Sequence, residues 1–293
     1  MNDGFSRLHS AVLFAFYALV LAVTMLMLHP AYIALSALGA AAYLVSLAGW
    51  RGLLQRLRWV LPLVLIAVLF NLTFNHRGVT ALFYLRNGNA VTLESMVFGL
   101  CSGGMLAAAV LWFASFHIVF TSDKLLALSG RAAPALSLLF SMTLRFVPLL
   151  GRRMKTTYAA QRAMDGAHGF SAAVRRGART VSIVTTWALE GAVVTADSMR
   201  ARGFGLPGRT HFHREVWTPR ESAVLAAVLV LAVCAFCGAA AGSAMETFYP
   251  ALSFAPPSAK NVFFWGCFAL LCALPVILNG REAAAWRRSA SSI

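Results

Sequence analysis

The stretch SAVLFAFYALVLAVTMLML, residues 10–28, carries no charged side chain. A helix of that length rises far enough, at about 1.5 Å per residue, to cross a hydrocarbon core roughly 30 Å thick. Arg7 precedes it, as a basic residue precedes a signal peptide's apolar core. The run outlasts the ~7–15 residues of such a core, and a second apolar run follows directly after His29-Pro30, so a retained helix is expected.

The same pattern recurs along the chain. Residues 30–49 form the second span, and residues 50–58, with Arg51, Arg56 and Arg58, form a basic connection. The third span is 59–75, with Trp59 at the interface and Pro62 in its first turn, where a missing N–H costs least. Residues 76–93 read as a polar loop with Gly78, Asn87, Gly88 and Asn89. The fourth span, 95–120, carries Gly99, Gly103 and Gly104, which permit close helix packing. Residues 221–242 and 261–279 complete six spans. The expected fold class is an all-α integral membrane protein with three parts: an N-terminal membrane domain, 1–120; a helical domain, 121–220; and a C-terminal membrane domain with a basic tail, 221–293.

Composition agrees. Hydrophobic residues make up 59% of the 293 and charged ones 12%, with a mean hydropathy of +0.72. Soluble domains carry about twice that share of charge. A soluble globular enzyme, a disordered chain and a fibrous one are thereby excluded. The net charge of +15 would point to nucleic acid in a soluble protein. Here it follows the topology. With a cytoplasmic N-terminus, the outward segments are 76–94, 244–260 and the turn at 29–30. They hold Arg77, Arg86 and Lys260, and the other 22 of 25 basic residues fall inside. That asymmetry predicts both termini in the cytoplasm, with the lipid bilayer and no nucleic acid as partner.

Residues 121–220 differ from the rest. They hold 15 basic and five acidic residues, a net +10, with no uncharged run of spanning length. Residues 134–150, PALSLLFSMTLRFVPLL, are apolar but contain Arg145 and Pro148, and are expected to lie along the inner membrane surface or under the bundle. RRMKTTYAAQRAM, 152–164, reads as a helix stopped by Asp165-Gly166. Arg175, Arg176 and Arg179 open the next helix, TVSIVTTWALEGAVVTADSMRAR, 180–202, with Val181, Val184, Ala188, Ala192 and Met199 on its apolar face. Gly203-Phe204-Gly205 and Pro207 end it. Arg200 and Arg202 then sit in the last turn, where the helix dipole favours positive charge by about 0.3–1 kcal/mol. A guanidinium at such a tip, flanked by Ala201 and Gly203, can enter a groove on a partner and grip a carboxylate bidentately.

The stretches LSLLFSMTLRFVPLLGRRMKTTYAAQRAM and VSIVTTWALEGAVVTADSMRARGFGLPGRT resemble the transmembrane T component of energy-coupling factor (ECF) transporters, ABC-type importers of vitamins and metal ions. The resemblance covers about 121–220. The flanking spans agree in number and order. It implies a non-catalytic subunit that joins two cytoplasmic ATPases to a membrane-embedded, substrate-selecting S component. It also implies two long crossed coupling helices, each ending in an Ala-Arg-Gly-like motif seated on one ATPase. Ala201-Arg202-Gly203 match that motif in full, next to Arg200. The first motif departs: after Ala160-Gln161-Arg162 the chain reads Ala163-Met164-Asp165-Gly166. Either Arg162 takes over the grip there or that end docks through apolar contact. The asymmetry points to two non-identical ATPases.

Some of these residues also suggest other chemistry. Glu190 and Asp197, seven apart on one helix face, form a candidate carboxylate pair; no His, Ser or Cys constellation accompanies them, so charge pairing within the chain, with Arg145, Arg179 or Arg200, is expected instead. His211-x-His213 is expected to be a solvated loop. The five cysteines lie in apolar runs, and the Cys234-x-x-Cys237 pair lacks the further ligands of a zinc site. No G-x-x-x-x-G-K-S/T occurs, so ATP hydrolysis is assigned to partners and no cofactor is expected. The rival readings are an ordinary ABC permease with its own substrate path and a membrane-embedded transferase.

Overall fold

The computed structural model describes residues 4–75, 78–84, 90–122, 124, 125, 128, 134–164, 166, 169–206 and 217–290. The chain forms two compact units, one of Met1–Lys124 with Val216–Ile293 and one of Leu125–Glu215. The two terminal membrane segments, expected as separate domains, therefore share one unit.

In that first unit, α1 is Ser10–Leu26 and α2 is Pro30–Phe74. His9 and His29 cap them in the same way: each Nδ1 accepts the backbone N–H two residues on, Ala11 at 3.1 Å and Ala31 at 3.2 Å. α2 is broken at Gly49, whose φ of 73° and ψ of 175° are non-helical. A side chain at that φ would be strained, so glycine is the residue that lets the chain turn there. The expected basic connection at 50–58 is helical. Helix 50–74 is continuous through it, so Pro62 lies inside that helix rather than in its first turn. The arginines do not interrupt helix geometry, because Leu53, Leu57 and Val60 maintain an inward-facing pattern.

β1 (Ala81–Tyr84) and β2 (Ala90–Thr92) form an antiparallel hairpin where a polar loop was expected. α3, Leu93–Val119, follows with Thr92 as its cap. α6, Pro219–Gly238, opens on a capping box between Thr218 and Glu221 and runs into a π turn, Ala239–Ser243. β3 (Glu246–Thr247) and β4 (Ser253–Phe254) form a second small hairpin before α7, Ala259–Ala290. Among the described residues, four helices are long and apolar enough to cross a membrane: Pro30–Phe74, Leu93–Val119, Pro219–Ser243 and Ala259–Glu282; Ser10–Leu26 is a shorter apolar helix. The protein is thus a mostly helical chain of membrane-protein character.

Small residues bring these helices together. A Cβ on Gly99 would lie 3.1 Å from the Val68 Cα, and one on Gly103 3.1 Å from a Val64 methyl, so α3 packs tightly on α2. Gly39 packs against Cys272 of α7, and Gly238 against Phe264. The core is aromatic: Phe5, Phe16, Tyr17, Tyr43 and Trp112 are fully or almost fully buried. Polar side chains fasten it. Trp112 Nε1 donates to Ser36 Oγ at 3.0 Å, Ser36 Oγ lies 2.7 Å from Thr24 Oγ1, and Thr24 donates to the Val20 carbonyl at 2.8 Å. With Thr24 donating to Val20, Ser36 must donate to Thr24. The result is one directed relay across α3, α2 and α1. Glu221 accepts the His9 backbone N–H at 3.1 Å and so ties the start of α6 to that of α1.

Glu246, in the second hairpin, is half-buried, and one oxygen accepts the Leu28 N–H at 3.2 Å. Burial pushes its carboxyl above the usual carboxylate range, against the smaller opposing pull of that N–H. The folded state therefore favours the protonated acid, and stability declines as pH rises from the ordinary carboxylate range through the raised pKa. Glu246→Gln, which keeps an acceptor for Leu28, is expected to raise the melting temperature at neutral pH and to flatten its decline between acid and neutral pH. Melting curves across that range check it.

Candidate functional site

The second unit is built on α4, Pro134–Met164, and α5, Phe170–Ala201. α4 runs without interruption through both the apolar 134–150 piece and the basic 152–164 piece, where two separate segments were expected. α5 begins at Phe170, ten residues before the expected start at 180. Its arginines at 175, 176 and 179 thus lie inside the helix.

The buried positions of α5 are Ala172, Arg176, Thr180 and Val184, one per turn along a single stripe. Of the five expected apolar-face residues, Val184 is buried and Ala188 and Met199 are half-buried, while Val181 and Ala192 are exposed. The inward stripe includes an arginine and a threonine, which apolar periodicity does not register. Thr180 is accommodated there by donating to the Arg176 carbonyl at 2.8 Å. α4 and α5 meet where the Arg153 guanidinium lies 4.7 Å over the Trp187 ring, beside a small cavity of about 100 Å³ lined by Thr157, Ile183 and Val184.

Beyond that meeting point α5 is poorly covered. Leu189, Val193 and Val194 are 63–65% exposed. Glu190 and Asp197 lie on the same stretch and are exposed too. Among the described residues no ion pair within 4.0 Å joins either carboxylate to Arg145, Arg179 or Arg200. The expected charge pairing is therefore not formed. An exposed pair of this kind is worth about 0–1 kcal/mol, too little to hold long side chains together.

The end of α5 is well defined. Arg202 is the C-cap and donates its N–H to the Ser198 carbonyl at 3.2 Å. Gly203 takes a φ of 77°. Its N–H donates to the Arg200 carbonyl at 3.0 Å, and the Phe204 N–H reaches back to the Met199 carbonyl at 3.0 Å. These two bonds are a Schellman closure, with glycine at the left-handed position. The main-chain bonds that close the helix leave the Arg200 and Arg202 side chains out of the cap, and both are exposed. Phe204 and Leu206 are exposed beside them. Ala201 is exposed as well.

At the end of α4, Gln161 is half-buried, and Arg162, Ala163 and Met164 are exposed, Met164 by 74%. Asp165 lies outside the described residues, as do His211 and His213. α4 ends close in sequence to the start of α5, and α5 then runs 32 residues to its own tip. At about 1.5 Å per residue that is roughly 48 Å. One tip is cationic, and the other presents a methionine next to Arg162.

Gly203→Ala forces a Cβ into the left-handed region and should cost about 1–2 kcal/mol locally. The expected result is faster hydrogen exchange at the amides of Gly203's replacement and Phe204, with the melting temperature of the whole chain little changed.

All five cysteines are free thiols, and no group of three His, Cys, Asp or Glu side chains close enough to hold a metal occurs among the described residues. Two glutamates next to the hairpins, Glu94 buried and Glu246 half-buried, were not among the residues expected from the sequence. Glu94 accepts the Thr80 N–H and hydroxyl at 3.1 and 2.8 Å, and Glu246 holds Leu28. Each follows or sits in a turn-rich segment, and an acidic residue at the edge of an apolar run was the only signal present. Compared with known proteins, the chain matches no family model and no curated protein.

Proposed function

We propose that this chain is the membrane coupling subunit of an ECF-type ABC importer, one that transmits ATP-driven motion to a substrate-binding S component for uptake of vitamins or metal ions. The observation that carries the reading is the tip of α5: an exposed Arg202 between Ala201 and Gly203, closed by main-chain bonds that leave its side chain free to reach a partner. A guanidinium there presents a planar fork of donors suited to a carboxylate-lined groove. The end of α4, close in sequence to the opposite end of α5, supplies a second contact of different chemistry through Arg162 and Met164. Two unlike tips suit two non-identical ATPases.

Six spans follow if α2 is counted on either side of Gly49 and α1 is included. The basic asymmetry then sets both termini and residues 121–220 on the cytoplasmic side of a bacterial membrane. The uncovered apolar surface, Leu189, Val193 and Val194 on α5 with Leu139 and Val147 on α4, suits a membrane-embedded partner. The chain does no covalent chemistry in this reading, and the ATPases hydrolyse the nucleotide.

Purification of the tagged chain from native membranes in mild detergent tests the proposal. Two ABC ATPases and a small membrane protein should accompany it. Recovery of the ATPases with transport but no small membrane partner would favour the ordinary permease, and recovery of the chain alone, active on a lipid, the transferase.

A further inference from the structure

Where Gly99 and Gly103 of α3 touch α2, the two helices are as close as side chains allow. Two to three turns further along α3 they leave a groove of about 170 Å³, lined by Val60 and Leu63 of α2 and Val110 and Ala114 of α3, with Arg56 and Trp59 at one end. Positions 56, 59, 60 and 63 recur at helical spacing on one side of α2, and 110 and 114 lie one turn apart on α3. The walls are apolar and the mouth is cationic. Trp59 is 80% exposed at that mouth, as an indole at a membrane–water boundary would be. Arg56 makes one long bond, from Nη1 to the Gly52 carbonyl at 3.5 Å, and no other among the described residues. The rest of its fork of donors is available. Arg51 and Arg58 are exposed on the same stretch and lie outside the groove's lining.

We infer that this groove binds one anionic phospholipid from the leaflet next to residues 50–58, an acyl chain lying between α2 and α3 and the phosphate gripped by Arg56. An apolar slot suits the chain, and charge complementarity selects the head group. Guanidinium pairs with phosphate oxygens through parallel N–H bonds, which a zwitterionic head group with its own ammonium competes for less well. The inference rests on the membrane placement of α2 and α3 and on no docking partner.

Native mass spectrometry of the full chain, released from detergent in an equimolar mixture of phosphatidylglycerol and phosphatidylcholine, tests it. The wild type should retain one phosphatidylglycerol in about tenfold preference, the difference one charge-assisted contact makes. Arg56→Gln should lose the preference and Arg56→Lys keep part of it. Ala114→Leu, which fills the slot, should lower retention of both lipids. Arg51→Gln, outside the groove, should behave as wild type. Equal retention of the two lipids by the wild type, unchanged preference in Arg56→Gln, unchanged retention in Ala114→Leu, or an equal loss in Arg51→Gln would each overturn the inference. Melting curves of the same samples show that each variant is folded. Should the membrane placement itself be wrong, the chain would instead appear in the soluble fraction of broken cells without detergent.

Discussion

Arg202→Glu is expected to abolish recovery of ATPases with the chain and to abolish uptake, while the chain still inserts in the membrane. The side chain is exposed at the tip of α5, and no ion pair within the chain holds it among the described residues. Within the chain its charge is favoured only by the helix dipole, by about 0.3–1 kcal/mol. In a docked complex the same guanidinium would be desolvated against an acidic groove, and reversal of its sign leaves two buried like charges. Breaking such a pair typically costs about 3–5 kcal/mol, more than a hundredfold in affinity. Arg200→Glu, two residues before the cap, should cost less, and Arg162→Glu should affect only the contact at the other end. Affinity purification with each variant, followed by an uptake assay in cells, separates the three. Undiminished ATPase recovery with Arg202→Glu would remove the docking role from this residue.

Trp112→Ala should be the most damaging single truncation in the first unit. The indole is fully buried, set edge-on to Phe16 at 5.7 Å and Tyr17 at 6.2 Å. Its N–H starts the relay that runs through Ser36 and Thr24 and so spans three helices. Truncation leaves a cavity beside those rings and removes the donor that orders the Ser36 hydroxyl. Losses of about 3–5 kcal/mol are usual for Trp→Ala in a core. Within lipid, packing and interhelical hydrogen bonds carry the association of helices, so an ungrouped core has little else to fall back on. Trp112→Phe refills most of the space and should lose only about 1 kcal/mol for the missing hydrogen bond. Thermal melting in detergent should rank wild type, Trp112→Phe and Trp112→Ala in that order, with the last well separated.

The apolar segments were legible in the sequence because burial in lipid demands unbroken apolar length. Their joints were less so. Gly49 stops a helix, whereas Gly52, three residues later, sits within one. The difference lies in backbone torsion, which composition does not encode. The basic run at 50–58 reads as a linker because arginine is expensive in hydrocarbon, yet arginine is a good helix former at a boundary. In the second unit, the buried stripe of α5 contains Arg176 and Thr180, which apolar spacing does not mark. The two hairpins were hidden for another reason. Their strands are two to four residues long, below the length at which alternation can be counted. The tip of α5 was the most readable feature, since the Gly203 stop and the two arginines before it are local signals that tertiary packing does not override.

The contact between Arg153 and Trp187 divides α5 unevenly but not by much. Trp187 lies 15 residues from Arg202 and 17 from Phe170, arms of roughly 22 and 26 Å. A rigid rod pivoting at that stacked pair would act as a seesaw. Tilting it by about 10° would carry the arginine tip some 4 Å and swing the opposite end a similar distance the other way. Force applied at either extremity would then emerge at the other with almost no gain or loss in stroke.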